Sequence, residues 1–562
     1  MDSSDKESST PSPEKEPTLN SSASKNLGAG DGTTLEEQYL TGYKLIGCLV
    51  AILSCLFLIG IDQTIIIPLL TIVGNQFGAT EKIGWISSGF SFSLTVFTPF
   101  MGTFSMAFGR KQTLSVSVIL FEAGSLVSAL SNSMSMLIAG RVLTGLGGAG
   151  IQSISVIIAS EITPISKRPI IMALVALSFS VSSTLGPIIG GAFASNVSWR
   201  WAFYINLPIG GVAVSLLFSF FNPPKPKGTF WEKCKKIDYF ATFLICGGLI
   251  FILLALTLGS SMQYPWNSGI VISFFTIGGL LTVGFCIWNF KYSFNPLISK
   301  EVIKVIQINA CAMTTGFAFA AFIAPTIYLS VYLQVVHEMT PMRTGIQILP
   351  TVIGVVLGSM FVGIFMRVTR YTKPFSVSAG ILGPVGIGCL LLLRTHTTTS
   401  QMIGLFTPFG IVTGVASQVS FMSAQQKAPK VNGGLILTVT YMGFAKCLGA
   451  TLTANLADTV FSTSLIRKIN HLIQTEPDPI IASEIANLNP KSLLQSSKIL
   501  FNFSNETIGI IKEEYNSSIL NVLYMSLAFS IVAMISSLFH TNKRIPKDDK
   551  KSNIPNNSTD EA

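Results

Sequence analysis

From Tyr43 to His540 the chain alternates apolar blocks about twenty residues long with short polar breaks. A helix rises 1.5 Å per residue, so about 20 apolar residues cross a hydrocarbon layer about 30 Å thick. On that measure the expected spans are 44–70, 84–105, 113–131, 135–158, 171–194, 201–221, 239–259, 269–290, 309–335, 346–366, 374–394, 400–423, 435–460 and 517–540. The pattern predicts an all-α polytopic membrane protein of about 14 transmembrane helices. An even number places both termini on one side.

Composition agrees: 49% of residues are hydrophobic and 11% charged, where soluble domains carry about 25% charged residues. The net charge of +10 would by itself suit nucleic acid. The basic residues, however, lie in short loops between apolar blocks, which argues for membrane orientation and no nucleic-acid partner. Alternate loops carry Arg110 and Lys111, Lys167 and Arg168, Lys225 to Lys236, Lys291 to Lys304, Arg367 to Lys373, and Lys427 with Lys430. The opposite loops offer little beyond Lys82, Arg200, Arg343 and Arg394. Both termini are therefore expected in the cytosol. Residues 1–43, rich in Ser, Pro, Lys and Glu, read as a disordered cytosolic tail with no cleaved leader. Residues 541–562 read as a second cytosolic tail, and 461–516 as an extracellular or lumenal loop. In that loop Asn502, Asn505 and Asn516 each begin an N-x-Ser/Thr sequon and are candidate glycosylation sites.

A faint repeat is visible. Gly102 to Lys111 (GTFSMAFGRK) is echoed by Gly363 to Lys373, and Thr144-Gly145 through Gln152 by Thr413-Gly414 through Gln418. Both offsets are about 260–270 residues, as two six-helix halves separated by an inserted helix pair would give. The halves are then 44–221 and 309–460 with 517–540, and 222–308 is a linker holding two additional helices.

Between Ser182 and Gly211 the chain reads SSTLGPIIGGAFASNVSWRWAFYINLPIGG. Gly186, Pro187, Gly190 and Gly191 would weaken a helix in water, by about 1 kcal/mol per Gly and about 3 for Pro. In a bilayer they allow close helix approach and a bend. Ile61-Asp62-Gln63-Thr64 through Pro68, Gly102 with Gly109-Arg110-Lys111, Arg141 with Gly145 and Gly147, Trp199-Arg200-Trp201 and Asn206-Leu207-Pro208 accompany it in order. Together these motifs resemble those of the fourteen-span drug:proton antiporters of the major facilitator superfamily. Phe121 to Leu126 and Phe444-Ala445-Lys446 are similar to the fungal branch with azole- and dye-resistance pumps and vacuolar basic amino acid transporters. The resemblance implies a major facilitator fold, a gating motif at Gly186, Pro187, Gly190 and Gly191, and a loop motif at Gly102, Gly109, Arg110 and Lys111. One departure stands out: Met106-Ala107 occupies the place of the family's Asp-Arg, so a charged lock between the halves is not expected.

An ionisable group at mid-bilayer costs about 2.5–3.5 kcal/mol, so each needs a partner, a water cavity or a role. Asp62 is a proton or cation site, or an interhelical hydrogen-bond residue. Arg141 either acts on a nearby carboxylate or snorkels to the interface. Glu122 and Lys446, both mid-span, carry protons or form structural pairs. These four are the candidate proton-coupling and substrate residues. Asp458 reads as interfacial and Glu161 as a loop contact.

The eight Cys are scattered without disulfide or zinc spacing, so no metal is expected. No Gly-rich GKS/T loop, H-E-x-x-H or G-x-S-x-G occurs, which argues against an enzyme and for no cofactor beyond a proton gradient. The expected function is a proton-coupled antiporter exporting small organic molecules, cationic or zwitterionic, from the cytosol by alternating access. The alternative is a vacuolar transporter of basic amino acids; a non-transporting receptor on the same scaffold is more remote. Expected partners are a small-molecule substrate, protons and membrane lipid, with a monomer in the plasma or vacuolar membrane.

Overall fold

The computed structural model describes residues 38–79, 82–224, 226, 228–260, 264–475, 478, 481, 484, 485 and 503–546. Its first half holds α1 (Gly42–Ile65), α2 (Leu70–Gln76), α3 (Ile83–Phe108), α4 (Arg110–Ala129), α5 (Met134–Glu161), α6 (Arg168–Asn196), α7 (Trp201–Tyr204) and α8 (Asn206–Phe220). A short α9 (Phe230–Lys235) leads to the inserted pair, α10 (Tyr239–Ser260) and α11 (Gly269–Ile287). The second half follows α12 (Lys300–Ile303) and holds α13 (Ile306–Val335), α14 (Pro341–Thr369), α15 (Lys373–Leu390), α16 (Thr399–Gln426), α17 (Gly434–Thr475) and α18 (Asn505–Ser537).

Among the described residues, 13 helices are long and apolar enough to cross a membrane. The fourteenth expected span is α3, which is 26 residues long but less apolar. Its buried side carries Ser93, Thr95, Thr98 and Ser105; Thr95 meets Thr451 of α17 at 2.7 Å, Thr98 donates to Leu94 O at 2.6 Å and Ser105 to Gly102 O at 2.8 Å. Polar groups so paired are stable inside an apolar bundle.

Within the first half α4 packs on α5, α3 on α5, and α1 on α6 and α8; within the second α14 packs on α16 and α13 on α17 and α18. The halves meet through α6 against α14 and α3 against α17. The inserted pair docks outside the α3–α17 seam, where Phe92, Val96 and Phe100 pack with Leu249, Leu253, Phe285 and Phe444. At the end carrying the termini the halves are joined by Gln425 donating to Ser160 Oγ (3.1 Å) and Gln418 donating to Pro169 O (2.5 Å).

One expected boundary is corrected. The segment 461–516 is not a loop throughout, because α17 continues to Thr475 and α18 already begins at Asn505. Phe461, Leu465 and Ile469 on one helix, and Ile511, Tyr515 and Ile519 on the other, recur at helical spacing and enter one core. Asn516 is consequently 5% exposed inside α18 and is closed to glycosylation in the fold. Asn505 is exposed at the start of α18, while Asn502 lies outside the described residues. The C-terminal segment 541–546 packs against the bundle. Ile545 N donates to Arg370 O and Arg370 Nε to Ile545 O, both at 2.7 Å. The Ile545 side chain is buried among Ala159, Ile171 and Met172 of one half and Val362, Met366 and Val419 of the other.

The α4–α5 contact depends on glycine. A Cβ at Gly147 would lie 2.4 Å from Phe121 N and 2.5 Å from Ser117 O, both backbone atoms that cannot swing away. Gly147→Val is expected to force α4 and α5 apart at a cost of about 1–3 kcal/mol. Thermal unfolding of the purified protein checks this; an unchanged melting temperature would show that the two helices are free to separate.

Candidate functional site

The first half closes around one ion pair. Asp62 sits in the last turn but one of α1 and Arg141 two turns into α5, both with no more than 1% of the side chain exposed. Arg141 Nη1 donates to Asp62 Oδ2 at 2.6 Å, and Arg141 Nε donates to Ile86 O at 3.2 Å. The guanidinium also lies 4.6 Å from the ring centre of Phe90, a cation–π contact that supports a desolvated cation. The other Asp62 oxygen, Oδ1, accepts from Asn206 Nδ2 at 3.0 Å, and the same amide group reaches Ser125 Oγ at 3.1 Å. Five helices thus converge: α1, α3, α4, α5 and α8. Arg141 does not snorkel; it is held inside by its carboxylate.

Glu122 lies on the same face of α4 as Ser125, one turn earlier. It faces Gly210, one turn beyond Asn206 on α8, so closely that a Cβ there would fall 1.9 Å from Glu122 Oε1. Neither carboxyl oxygen has a hydrogen-bond partner among the described residues, and neither does Asn206 Oδ1.

Lys446 is elsewhere, on α17 between the halves, with Phe319 and Phe179 against its ammonium. Asp458, expected near the interface, is exposed on the 42-residue α17 and accepts from Tyr328 OH at 2.9 Å.

The glycine motifs separate into different jobs. Gly186 and Gly190 let α6 cross α1, since a Cβ would stand 2.0 Å from Thr64 Oγ1 at the first and 2.3 Å from Ile65 O at the second. Gly191 has nothing within 4 Å of such a Cβ, so it takes no part in that crossing. Pro187 lies inside α6 between the two contacts. Gly102 meets Thr440 of α17, and Gly109 turns the chain from α3 to α4 at φ +96°, a conformation that favours glycine. Lys111 reaches the end of α8, donating to Phe218 O (3.1 Å) and Asn222 Oδ1 (2.6 Å). Met106, in place of an acidic residue, packs against the apolar cluster of Ile157, Leu435, Ile436 and Val439, so an apolar contact joins α3, α5 and α17 there.

Glu161 was expected as a loop contact and is instead buried. It accepts from Arg110 Nε (3.0 Å) and Nη2 (2.9 Å), a two-point ion pair with 1% exposure on each side. Sequence reading missed this pair because both residues stand at helix ends, where charge is ordinarily solvated. It missed Asn206 as a ligand of Asp62 for a different reason: the residue drew attention only as part of a motif.

These features define a helical transporter with two pseudo-equivalent halves and a charged cluster buried in one. The sequence profile of the Major Facilitator Superfamily matches residues 52–454, and the chain belongs to that superfamily. It is 31% identical over 571 residues to azole resistance protein 1 of Saccharomyces cerevisiae, covering 92% of this chain and 91% of that one. It is equally 31% identical over 558 residues to vacuolar basic amino acid transporter 5 of the same yeast, covering 90% and 93%. Among solved structures, an inward-facing, unoccupied bacterial homologue of the human lysosomal transporter Spinster aligns with a TM-score of 0.52 and 13% identity, covering 89% of this chain and 98% of that one.

Removing one member of a buried ion pair leaves an uncompensated charge at a cost of about 3–5 kcal/mol. Glu161→Ala is therefore expected to lower stability sharply, and the double variant Arg110→Met with Glu161→Leu to recover most of the loss. Thermal unfolding of the three proteins checks the pair; a double variant no better than the single one would show that the two residues act separately.

Proposed function

We propose that the chain is a proton-coupled antiporter that exports small organic molecules from the cytosol by alternating access. The observation that carries this reading is the buried Asp62–Arg141–Asn206 cluster, with Glu122 in its slot one turn away along α4 and α8. A carboxylate tied to a single guanidinium is a group whose protonation changes a structural contact. A proton on Asp62 neutralises the partner of Arg141 and weakens the link between α1 and α5.

That link communicates with the halves. The next turn of α1 packs on α6 at Gly186 and Gly190, and α6 in turn packs on α14 of the other half. Protonation then has differential free energy in the two access states, which is what a gradient needs in order to bias them. Glu122 offers a second place for a proton within the same half. Substrate release on the acidic side follows from protonation favouring that state.

Export of organic molecules is supported by the likeness to an azole resistance protein. The likeness to a vacuolar basic amino acid transporter is of the same degree and supports the second reading, the same exchange chemistry in the vacuolar membrane. Uptake of labelled lysine by isolated vacuoles separates the two.

Asp62→Asn keeps an Arg141 acceptor at the same position and removes the titrating group. In sealed liposomes carrying a trapped pH dye, the wild-type protein is expected to move protons when substrate is added on one side. The variant is expected to lose at least about tenfold of that flux, the range typical of a positioned proton-transfer group, while reaching the membrane folded. Full proton exchange by Asp62→Asn would remove this residue from the mechanism.

A further inference from the structure

Lys446 lies where the halves meet and takes no part in the Asp62 cluster. Its Nζ is 4.3 Å from the ring centre of Phe319 on α13 and 5.0 Å from that of Phe179 on α6, one aromatic ring from each half. The residue is only half-buried, as are both rings. Its aromatic contacts come from both halves, and they leave part of the residue uncovered.

Among the described residues no carboxylate lies within 4.0 Å of Lys446 Nζ, and the nearby acids are engaged elsewhere. Asp62 belongs to Arg141, Glu161 to Arg110, and Asp458 accepts from Tyr328. Glu122 faces Gly210 across the α4–α8 contact. The neighbouring Cys447 is itself the recipient of Gln152 Nε2 at 3.2 Å and Thr98 Oγ1 at 3.8 Å. Two ring faces compensate an ammonium in part through their quadrupoles; a low-dielectric site still calls for a counter-charge. The same ammonium repels any cation that approaches it.

We propose that Lys446, Phe179 and Phe319 form a subsite for an anionic group of the transported molecule, a carboxylate or sulfonate borne on an aromatic or apolar body, and that it turns away purely cationic molecules. The subsite rests on the reading of the chain as a transporter and is independent of proton coupling. It narrows the expected cationic or zwitterionic cargo to molecules that carry an anionic group, since Asp62 is paired with Arg141. The rings hold the apolar body, and the ammonium fixes which end of it faces α17.

The test uses the full-length protein in lipid nanodiscs with two xanthene dyes of opposite charge, carboxyfluorescein and rhodamine 123, followed by fluorescence polarisation. Carboxyfluorescein is expected to bind about tenfold more tightly than rhodamine 123, the size of effect a single charge contact commonly gives. Lys446→Gln is expected to abolish that preference, Lys446→Arg to keep it, and Phe319→Ala to weaken both dyes. Wild-type protein that binds rhodamine 123 as well as or better than carboxyfluorescein, or that fails to bind carboxyfluorescein, overturns the proposal whatever the variants do. So does a Lys446→Gln protein with its preference intact. If charge preference follows Lys446 while Asp62→Asn still exchanges protons, the coupling reading fails and the subsite stands.

Discussion

Two charges can lie inside this bundle at Asp62 and Arg141 only because each neutralises the other. Taking an ion out of water costs several kcal/mol even after the protein relaxes, and attraction repays it only when geometry and further hydrogen bonds are good. Here the geometry is good: a 2.6 Å contact, a second donor from Asn206 on the remaining carboxyl oxygen, a backbone carbonyl for Arg141 Nε and a ring face for its plane. Those partners come from α8 and α3, so satisfying the pair fixes how α1, α3, α5 and α8 stand relative to one another. The same constraint explains the two-point Arg110–Glu161 pair at the ends of α4 and α5. Charge burial organises the first half from within.

Such contacts require helices that approach closely, and lipid offers no hydrophobic push toward that end. Small residues supply the approach. Gly147 brings α5 against the backbone of α4, and Gly186 with Gly190 brings α6 against the turn of α1 that follows Asp62. Gly210 makes the slot that admits Glu122. A motif is thus not one device: Gly191, within the same string as Gly190, touches nothing that a side chain would displace. The position that lacks the family's acidic residue has been taken over by Met106, whose apolar contact with α5 and α17 contributes closure without charge.

Much of the fold was legible because its physics is local. Apolar blocks of bilayer length, loop charge and the internal echo lead to the helices and the two halves without any knowledge of packing. Local averages fail where a helix leaves the apolar layer: α17 was cut short because Arg467, Lys468 and His471 dilute a segment whose Phe461, Leu465 and Ile469 are buried. The site was legible one residue at a time. Asp62 and Arg141 announced themselves as charges in apolar runs, yet their pairing joins positions 79 apart and depends on how α1 crosses α5. Glu161 was misjudged because a charge at a helix end is ordinarily wet, and here α4 covers it. Asn206 gave no signal of its own, since an amide in a motif says nothing about which carboxylate it will face.

The two halves carry charge differently, and under the proposed exchange that asymmetry separates the place of the proton from the place of the cargo. In the first half Asp62 and Glu161 are balanced by Arg141 and Arg110. The second half presents Lys446 on α17, the helix that also forms the seam with α3 through Thr451, Cys447 and Thr440. Any slide of α17 along α3 must carry the ammonium with it and alter its distance from Phe179 on the opposite half. A ligand held by Lys446 and by both rings therefore has different contacts in the two access states. That difference is the quantity by which cargo shifts the equilibrium. Proton and cargo need not share a residue to be coupled; it is enough that α1 and α17 both bear on the contact between the halves.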